Sequence, residues 1–306
     1  MEINPNDKHL IVIGGPTASG KTDLSIAIAQ KYQAEIFSAD ARQFYKEMKI
    51  GTAKPSSEEL AAVPHHFINS HSIADKFTVA DYEKAALRKL QNYFTKKDIA
   101  VIVGGSGLFL KAVCDGLDPI PKIKTEIREK VLRLLETEGL EKLKALVKTH
   151  DPEFYAKADV QNPRRLQRAL EIYWSSGKKI SSLQKGKPKA RPFKIHRMLL
   201  LPEREKLYER INFRCAEMLE AGLLAEAKNL YSYRHLPPLQ TVGYREFFDH
   251  FDQKYTYEEA VEKFKQHTRN YAKRQMTWFK KDERYAAFPP EDRHGIFAHL
   301  DQILDG

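Results

Sequence analysis

The sequence predicts an α/β fold, with a parallel sheet, helices on both of its faces and an all-helical insertion. Three observations predict it. A continuous apolar run, His9 to Gly14 (HLIVIG), has the composition of a strand buried on both faces. A glycine-rich turn and a helical stretch follow, and the strand–helix alternation then repeats, as it does when parallel strands are joined by crossover helices. From about Lys122 to Gly177 the pattern changes to amphipathic helices with no strand.

The elements follow in order. After the first strand a helix is expected from Lys21 to Tyr32. A second strand, Glu35 to Ser38, ends in Ala39-Asp40. Val79 to Phe94 has apolar residues at helical spacing, and Ile99 to Val103 reads as a third strand running into Gly104-Gly105-Ser106-Gly107. Open parallel sheets bind ligands at the C-terminal ends of their strands, so Asp40 and the 104–107 turn are expected beside the first glycine loop. The composition shifts after Asp118-Pro119-Ile120-Pro121. Helices are expected over Thr125 to Thr137 and Arg164 to Ser176. Residues 178–197 then hold eight Lys/Arg and no acid. A strand candidate, Met198 to Leu201, resumes the sheet, and the chain from Glu203 on reads as mostly helical. The expected organisation is a core of residues 1–118 and 191–306 around a helical insertion of residues 119–190.

Charge narrows the partners. The 306 residues carry 51 Lys/Arg and 41 Asp/Glu, a net 51 − 41 = +10, which favours an anionic partner such as nucleic acid, polyphosphate or an acidic membrane surface. Two cysteines a hundred residues apart, Cys114 and Cys215, make neither a disulfide framework nor a Cys-x-x-Cys zinc site. No apolar stretch approaches the ~20 residues of a membrane span, and the N-terminus lacks the basic start of a secretory signal. The expectation is a soluble, cytoplasmic monomer with no membrane partner.

Gly15-Pro16-Thr17-Ala18-Ser19-Gly20-Lys21-Thr22 fits G-x-x-x-x-G-K-[ST] and lies between a predicted strand and a predicted helix, the context the motif requires. Glycines let backbone N–H groups converge on an anion, the helix N-terminus adds partial positive charge, Lys21 adds a full charge, and the Thr22 hydroxyl suits Mg²⁺. The core is therefore expected to be P-loop NTPase-like. An NTP hydrolase, however, ends a neighbouring strand in an Asp that helps to hold Mg²⁺, and here that strand runs into Gly104-Gly105. A phosphate cradle equally suits a diphosphate that departs from carbon.

Further motifs then fall into order: SADARQFY at 38–45, IGTAKP at 50–55, PHHFIN at 64–69, GGSGLFL at 104–110, NPRRLQRALEIY at 162–173, LYERINFRCAEMLEAGLL at 207–224, VGYRE at 242–246 and TRNYAKRQMTWFK at 268–280. With GPTASGKT at 15–22, the chain resembles the tRNA dimethylallyltransferases (tRNA isopentenyltransferases) nearly end to end. It departs from their usual pattern at Ala41, where Ser is common, at Phe44, often Val, and at Ser106, often Thr.

The resemblance implies transfer of a dimethylallyl group from dimethylallyl diphosphate to N6 of the adenosine 3′ of the anticodon, with Mg²⁺ as cofactor and the tRNA anticodon stem-loop as partner. It implies that Asp40 accepts the N6 proton, that Ser106 bonds the base or the diphosphate, and that Arg214, in the R-x-x-x-M-L helix, reaches the diphosphate. Residues 15–22 cradle the diphosphate and Thr22 the metal. The implied tRNA contacts are Asp40, Ala41, Arg42, Gln43, Ser106, Arg128, Arg164, Arg165, Leu166, Gln167, Arg168, Gln240, Thr241, Val242, Gly243, Tyr244, Arg245, Arg269, Lys273 and Arg274. In the basic segment 261–281, Tyr271 and Trp278 are expected to pack inward while Arg269, Lys273 and Arg274 face RNA. His65 and His66 are expected to be structural. Three other readings stay open on the residues alone: a P-loop kinase, an isopentenyltransferase of free nucleotide, and a non-catalytic RNA-binding protein.

Overall fold

The computed structural model describes residues 8–305. It forms two compact units, one of the described residues up to Cys114 and from Ala190 onward, the other Asp115–Lys189. The first unit is built on six strands: β1 (His9–Gly14), β2 (Ile36–Ser38), β3 (His65–His66), β4 (Ile99–Gly104), β5 (Lys194–Leu200) and β6 (Ala286–Phe288). All pair in parallel, in the order β3-β2-β4-β1-β5-β6. Strand β1 is wholly buried, as its unbroken apolar run requires. The helices here are α1 (Lys21–Lys31), α2 (Ser57–Ala62), α3 (Val79–Tyr93) and α4 (Gly107–Asp115). In the other unit they are α5 (Thr125–His150), α6 (Pro152–Lys157), α7 (Pro163–Ser176) and α8 (Ile180–Leu183), and after β5 come α9 (Arg204–Glu220), α10 (Leu223–Leu230), α11 (Arg245–Phe251), α12 (Tyr257–Phe279) and α13 (Arg293–Asp305).

One apolar layer joins Leu10, Val12, Phe37, Ala100 and Ile102 to Tyr82, Leu90 and Phe279. A second joins Ile11, Ile13, Ile36 and Val101 to Leu24, Ile28, Ile296 and Leu300. Alternate residues of β1 thus feed opposite layers, as the two-residue period of a strand dictates. Two strands escaped the sequence. β3 is two residues long and β6 three, too short to show any period. β5 starts at Lys194, inside the basic stretch, because its outer residues are only partly buried.

The 115–189 unit has its own core of Val131, Leu143, Val147, Leu166, Leu170 and Ile172. The helix expected over Thr125 to Thr137 ends as read: within the 125–150 span Gly139 takes φ 75° and ψ −175°, a non-helical backbone conformation open essentially to glycine alone, and a second helix runs on to His150.

Candidate active site

The register of the sheet assembles the site. Gly14 of β1 pairs with Gly104 of β4, and Ser38 of β2 with Val103, so three strand ends lie side by side. They deliver the 15–22 loop, the 104–107 turn and Asp40 to one place. The approach is close, since a Cβ on Gly104 would lie 2.5 Å from the Ala39 carbonyl oxygen. A cleft of about 1190 Å³ opens there, and Thr17 to Thr22, Asp40, Arg42, Gln43, Thr52, Ala53, Gly104, Gly105, Arg214 and Tyr271 all contribute to its wall.

The phosphate loop is open to a ligand. Helices α2, α3 and α12 each begin with a capping box that ties up their first N–H groups. Helix α1 begins at Gly20, φ 82°, with no side-chain cap, so its leading N–H groups are left to whatever the cleft holds. Ala18 also has positive φ, 60°, so the loop is held in a shape its sequence does not prefer. Lys21 folds back over the loop and donates to the Pro16 carbonyl. Its pKa falls from 10.5 to about 7, chiefly through burial and then through Arg214, with Asp40 opposing.

Asp40 is fixed by its own turn. Oδ1 accepts the Arg42 N–H at 2.8 Å and the Gln43 N–H at 3.4 Å, and among the described residues Oδ2 accepts nothing. Arg214, on α9, donates to the Ala53 carbonyl at 3.3 Å; burial works against its charge and Asp40 supports it. Gln43 anchors the same strip, accepting from Ser38 Oγ at 3.1 Å and donating to the Ala53 carbonyl at 3.1 Å. Ser106 Oγ accepts the Ala41 N–H at 3.2 Å, which ties the 104–107 turn to the residue after Asp40, and both residues are half-buried.

Sequence reasoning missed Glu226 and Gln275 here and misplaced Tyr271. Glu226, on α10, accepts the N–H groups of Lys49, Ile50 and Gly51 at 3.1, 2.9 and 3.0 Å and the Tyr244 hydroxyl at 2.6 Å, fixing the 50–55 loop that walls the cleft. Gly51 leaves room for the Tyr244 ring, which a Cβ there would meet at 2.6 Å. Gln275, on α12, is 6% exposed and bonds both the phosphate loop and the 104–107 turn. Tyr271 lines the cleft instead of packing in the core. Its hydroxyl bonds Ser106, and its pKa is pushed up to about 12, mainly by burial and then by Asp40.

The implied RNA contacts divide. Arg164 and Arg165 are exposed, Arg168 and Gln167 half-buried, and the three arginines line a hollow of about 530 Å³ in the 115–189 unit. Arg128 is exposed, with Glu171 at 3.8 Å. Lys273 and Arg274 are exposed on α12, whereas Arg269 is half-buried and donates to Asn212 at 2.6 Å. Gln240 and Arg245 are exposed, and Thr241 and Val242 line the cleft. Two expected contacts need correction. Leu166 is fully buried in its unit's core, and Tyr244 is fully buried with its hydroxyl on Glu226; neither side chain is open to RNA. Gly243 is buried as well, its N–H donating to Glu246 at 2.9 Å. Trp278 is also corrected, being 45% exposed. The buried stripe of α12 runs through Phe264, Ala272, Gln275 and Phe279, and Trp278 sits one residue, about 100° of helix, off it. His66 Nε2 bonds Glu35 at 2.5 Å beside β2, and His65 Nδ1 bonds the Val63 carbonyl.

Comparison with known proteins agrees with this geometry. Residues 43–282 match the IPP transferase family model. The chain is 48% identical to a tRNA dimethylallyltransferase of Christiangramia forsetii, over 97% of this chain and 99% of the relative. It is 43% identical to tRNA dimethylallyltransferase 1 of Bacteroides thetaiotaomicron, over 95% and 94%. Among solved structures, the full-length tRNA isopentenylpyrophosphate transferase of Bacillus halodurans aligns at TM-score 0.71 with 33% identity, covering 98% of this chain and 96% of that one. A eukaryotic dimethylallyltransferase acting on tRNA aligns at TM-score 0.76 with 29% identity, covering 93% and 74%. A sheet that gathers a phosphate loop, a carboxylate and an arginine in one cleft, and identity of this extent over nearly the whole chain, lead to one statement: the chain belongs to the IPP transferase family.

Proposed function

We propose that this chain transfers a dimethylallyl group from dimethylallyl diphosphate to N6 of the adenosine 3′-adjacent to the anticodon in tRNA, releasing diphosphate. The observation that carries this reading is the convergence of Lys21, Arg214 and the uncapped α1 N-terminus opposite the unpaired oxygen of Asp40, in one cleft. The N6 lone pair attacks the allylic carbon, the carbon–oxygen bond breaks, and its electron pair leaves on the diphosphate. The amine becomes acidic as it alkylates, and Asp40 takes the proton. The loop amides, Lys21 and Arg214 offset the charge building on the leaving oxygen.

The residues fit a magnesium ion that arrives with the substrate. No group of three or more His, Cys, Asp or Glu among the described residues could hold a metal alone, while Thr22 offers a hydroxyl at the loop's end. Mg²⁺ characteristically takes most of its ligands from phosphates and water, and bound there it would offset diphosphate charge. No described helix is long and apolar enough to cross a membrane, in keeping with an enzyme that meets tRNA in the cytoplasm.

The target base is stacked in a loop and must flip out to reach the cleft. Asp40, Arg42 and Gln43 are suited to meet it, with basic surface holding the phosphates. If Arg165, Arg168 and Lys273 contact tRNA phosphates, replacing any of them with Ala weakens tRNA binding and flattens its log–log salt slope by roughly 0.7–0.9. Diphosphate affinity stays unchanged. The check is tRNA affinity across a salt series, and unchanged slopes in all three variants remove them from the footprint.

Lys21 yields a second expectation. Its pKa lies near 7 because burial and Arg214 disfavour the charge. An anion in the cleft raises that pKa, so binding at pH 8 recruits a proton to Lys21, and binding at pH 6 recruits much less. Calorimetry of inorganic pyrophosphate binding in buffers of different ionisation enthalpy reads this directly. Equal proton uptake by wild type and Lys21→Ala at pH 8 contradicts it.

The reading itself is tested by incubating the chain with tRNA and dimethylallyl diphosphate and weighing the tRNA nucleosides. The expected product is one adenosine per tRNA carrying the five-carbon group.

A further inference from the structure

We propose that Gln275 is a positioning residue for the transfer reaction, an amide clasp that sets the diphosphate cradle in register with the carboxylate that takes the proton. This rests on the function proposed above. The Gln275 side chain lies 94% out of solvent. Its Oε1 accepts the Thr17 N–H of the phosphate loop at 2.9 Å, and its Nε2 donates to the Gly105 carbonyl at 2.9 Å. Gly105 is shaped to receive it, since a Cβ there would lie 2.2 Å from Gln275 Nε2.

The clasp joins a longer chain. The next residue, Ser106, accepts the Ala41 N–H at 3.2 Å, and Ala41 follows Asp40. The connection therefore runs from the loop after β1, through Gln275, to the turn after β4, and on to the residue after β2. Among the described residues no other hydrogen bond joins Thr17 to the 104–107 turn. A displacement at carbon needs nucleophile, carbon and leaving oxygen in line, and an error of about 1 Å costs ~10²-fold in rate. An apolar residue at 275 fills the space but leaves the Thr17 N–H and the Gly105 carbonyl without partners, and the two loops are then free to separate.

Three variants separate positioning from packing: Gln275→Met, Gln275→Asn and Gln275→Glu. Methionine keeps the volume and loses both bonds. Asparagine keeps both groups and falls short of them. Glutamate retains the acceptor for Thr17 and regains the donor to Gly105 only when protonated. The expected result is a kcat lower by on the order of 10–100-fold for Met and Asn, with KM for tRNA within about threefold and thermal midpoints near wild type. For Gln275→Glu, the ratio of its kcat to that of wild type rises as the pH falls, because the neutral acid is an isostere of the amide. Calorimetric binding of inorganic pyrophosphate supplies a readout apart from turnover, and the Met and Asn variants are expected to bind it more weakly.

A kcat of Gln275→Met within twofold of wild type overturns the proposal. So does a variant that loses tRNA affinity and thermal stability in step with kcat, since that marks a packing role. A glutamate-to-wild-type ratio flat with pH overturns it even where Gln275→Met fails to fold. A wild-type chain that binds pyrophosphate but transfers nothing to tRNA overturns the proposed function, and the inference with it.

Discussion

Asp40→Asn is expected to lower the rate of transfer by ~10²–10⁴-fold, the contribution typical of a general base. The amide retains an oxygen for the Arg42 and Gln43 N–H groups, so the turn that fixes residue 40 survives. What it loses is the ability to take a proton. It also loses a charge, and Asp40 is what holds the Lys21 pKa up against burial and Arg214. Lys21 in Asp40→Asn is therefore harder to protonate than in wild type. Asp40→Ala removes the turn bonds as well and is expected to be the worse of the two. Affinity for tRNA stays within about tenfold in both, because most RNA affinity comes from phosphate contacts elsewhere. Single-turnover rates at saturating tRNA are the measurement. Rates within a few-fold of wild type at every pH remove Asp40 from the proton transfer.

Lys21→Ala is expected to cost ~10²–10³-fold in kcat, the loss seen when one preorganised group is taken from a developing anion. KM for dimethylallyl diphosphate rises and KM for tRNA does not. The fold itself does not depend on Lys21. Its pKa is 10.5 unfolded and about 7 folded, so the unfolded chain binds more protons between those values and stability rises with pH across that window. At pH 7.5 folding thus works against the Lys21 charge, and the alanine variant is expected to melt no lower than wild type. A lower melting point together with unchanged diphosphate affinity would assign Lys21 to the structure of the loop.

The parts of the molecule legible in the sequence are those whose signal is local. The buried run 9–14, the spacing of 15–22 and the periodicity of 79–94 each announce themselves within a few residues, and β1, α1 and α3 stand where they were read. Asp40 was legible because it ends a strand, and parallel sheets present ligands with their strand ends. Gln275 and Glu226 were not, although Gln275 lies in a motif that was noticed and Glu226 two residues beyond another. Their partners are backbone groups 258 and 177 residues away in the chain, and a backbone amide leaves no mark on a sequence. A polar residue on the apolar stripe of α12 was the one available sign, since buried polar groups need partners. Leu166 and Tyr244 show the opposite error. Both belong to continuous stretches, 164–168 and 240–245, that the resemblance implies as tRNA contacts, and such a stretch does not say which side chains face outward. The helix period turns Leu166 away from Arg165 and into the core, and the Glu226 carboxylate draws the Tyr244 hydroxyl inward.

The most direct test offers the chain two acceptors at once, tRNA and free AMP, with labelled dimethylallyl diphosphate and Mg²⁺, and follows the label into nuclease fragments. The expected result is label in tRNA alone, confined to the adenosine 3′ of the anticodon, and absent with Asp40→Asn. Label in AMP, or at other adenosines of the tRNA, would contradict the account.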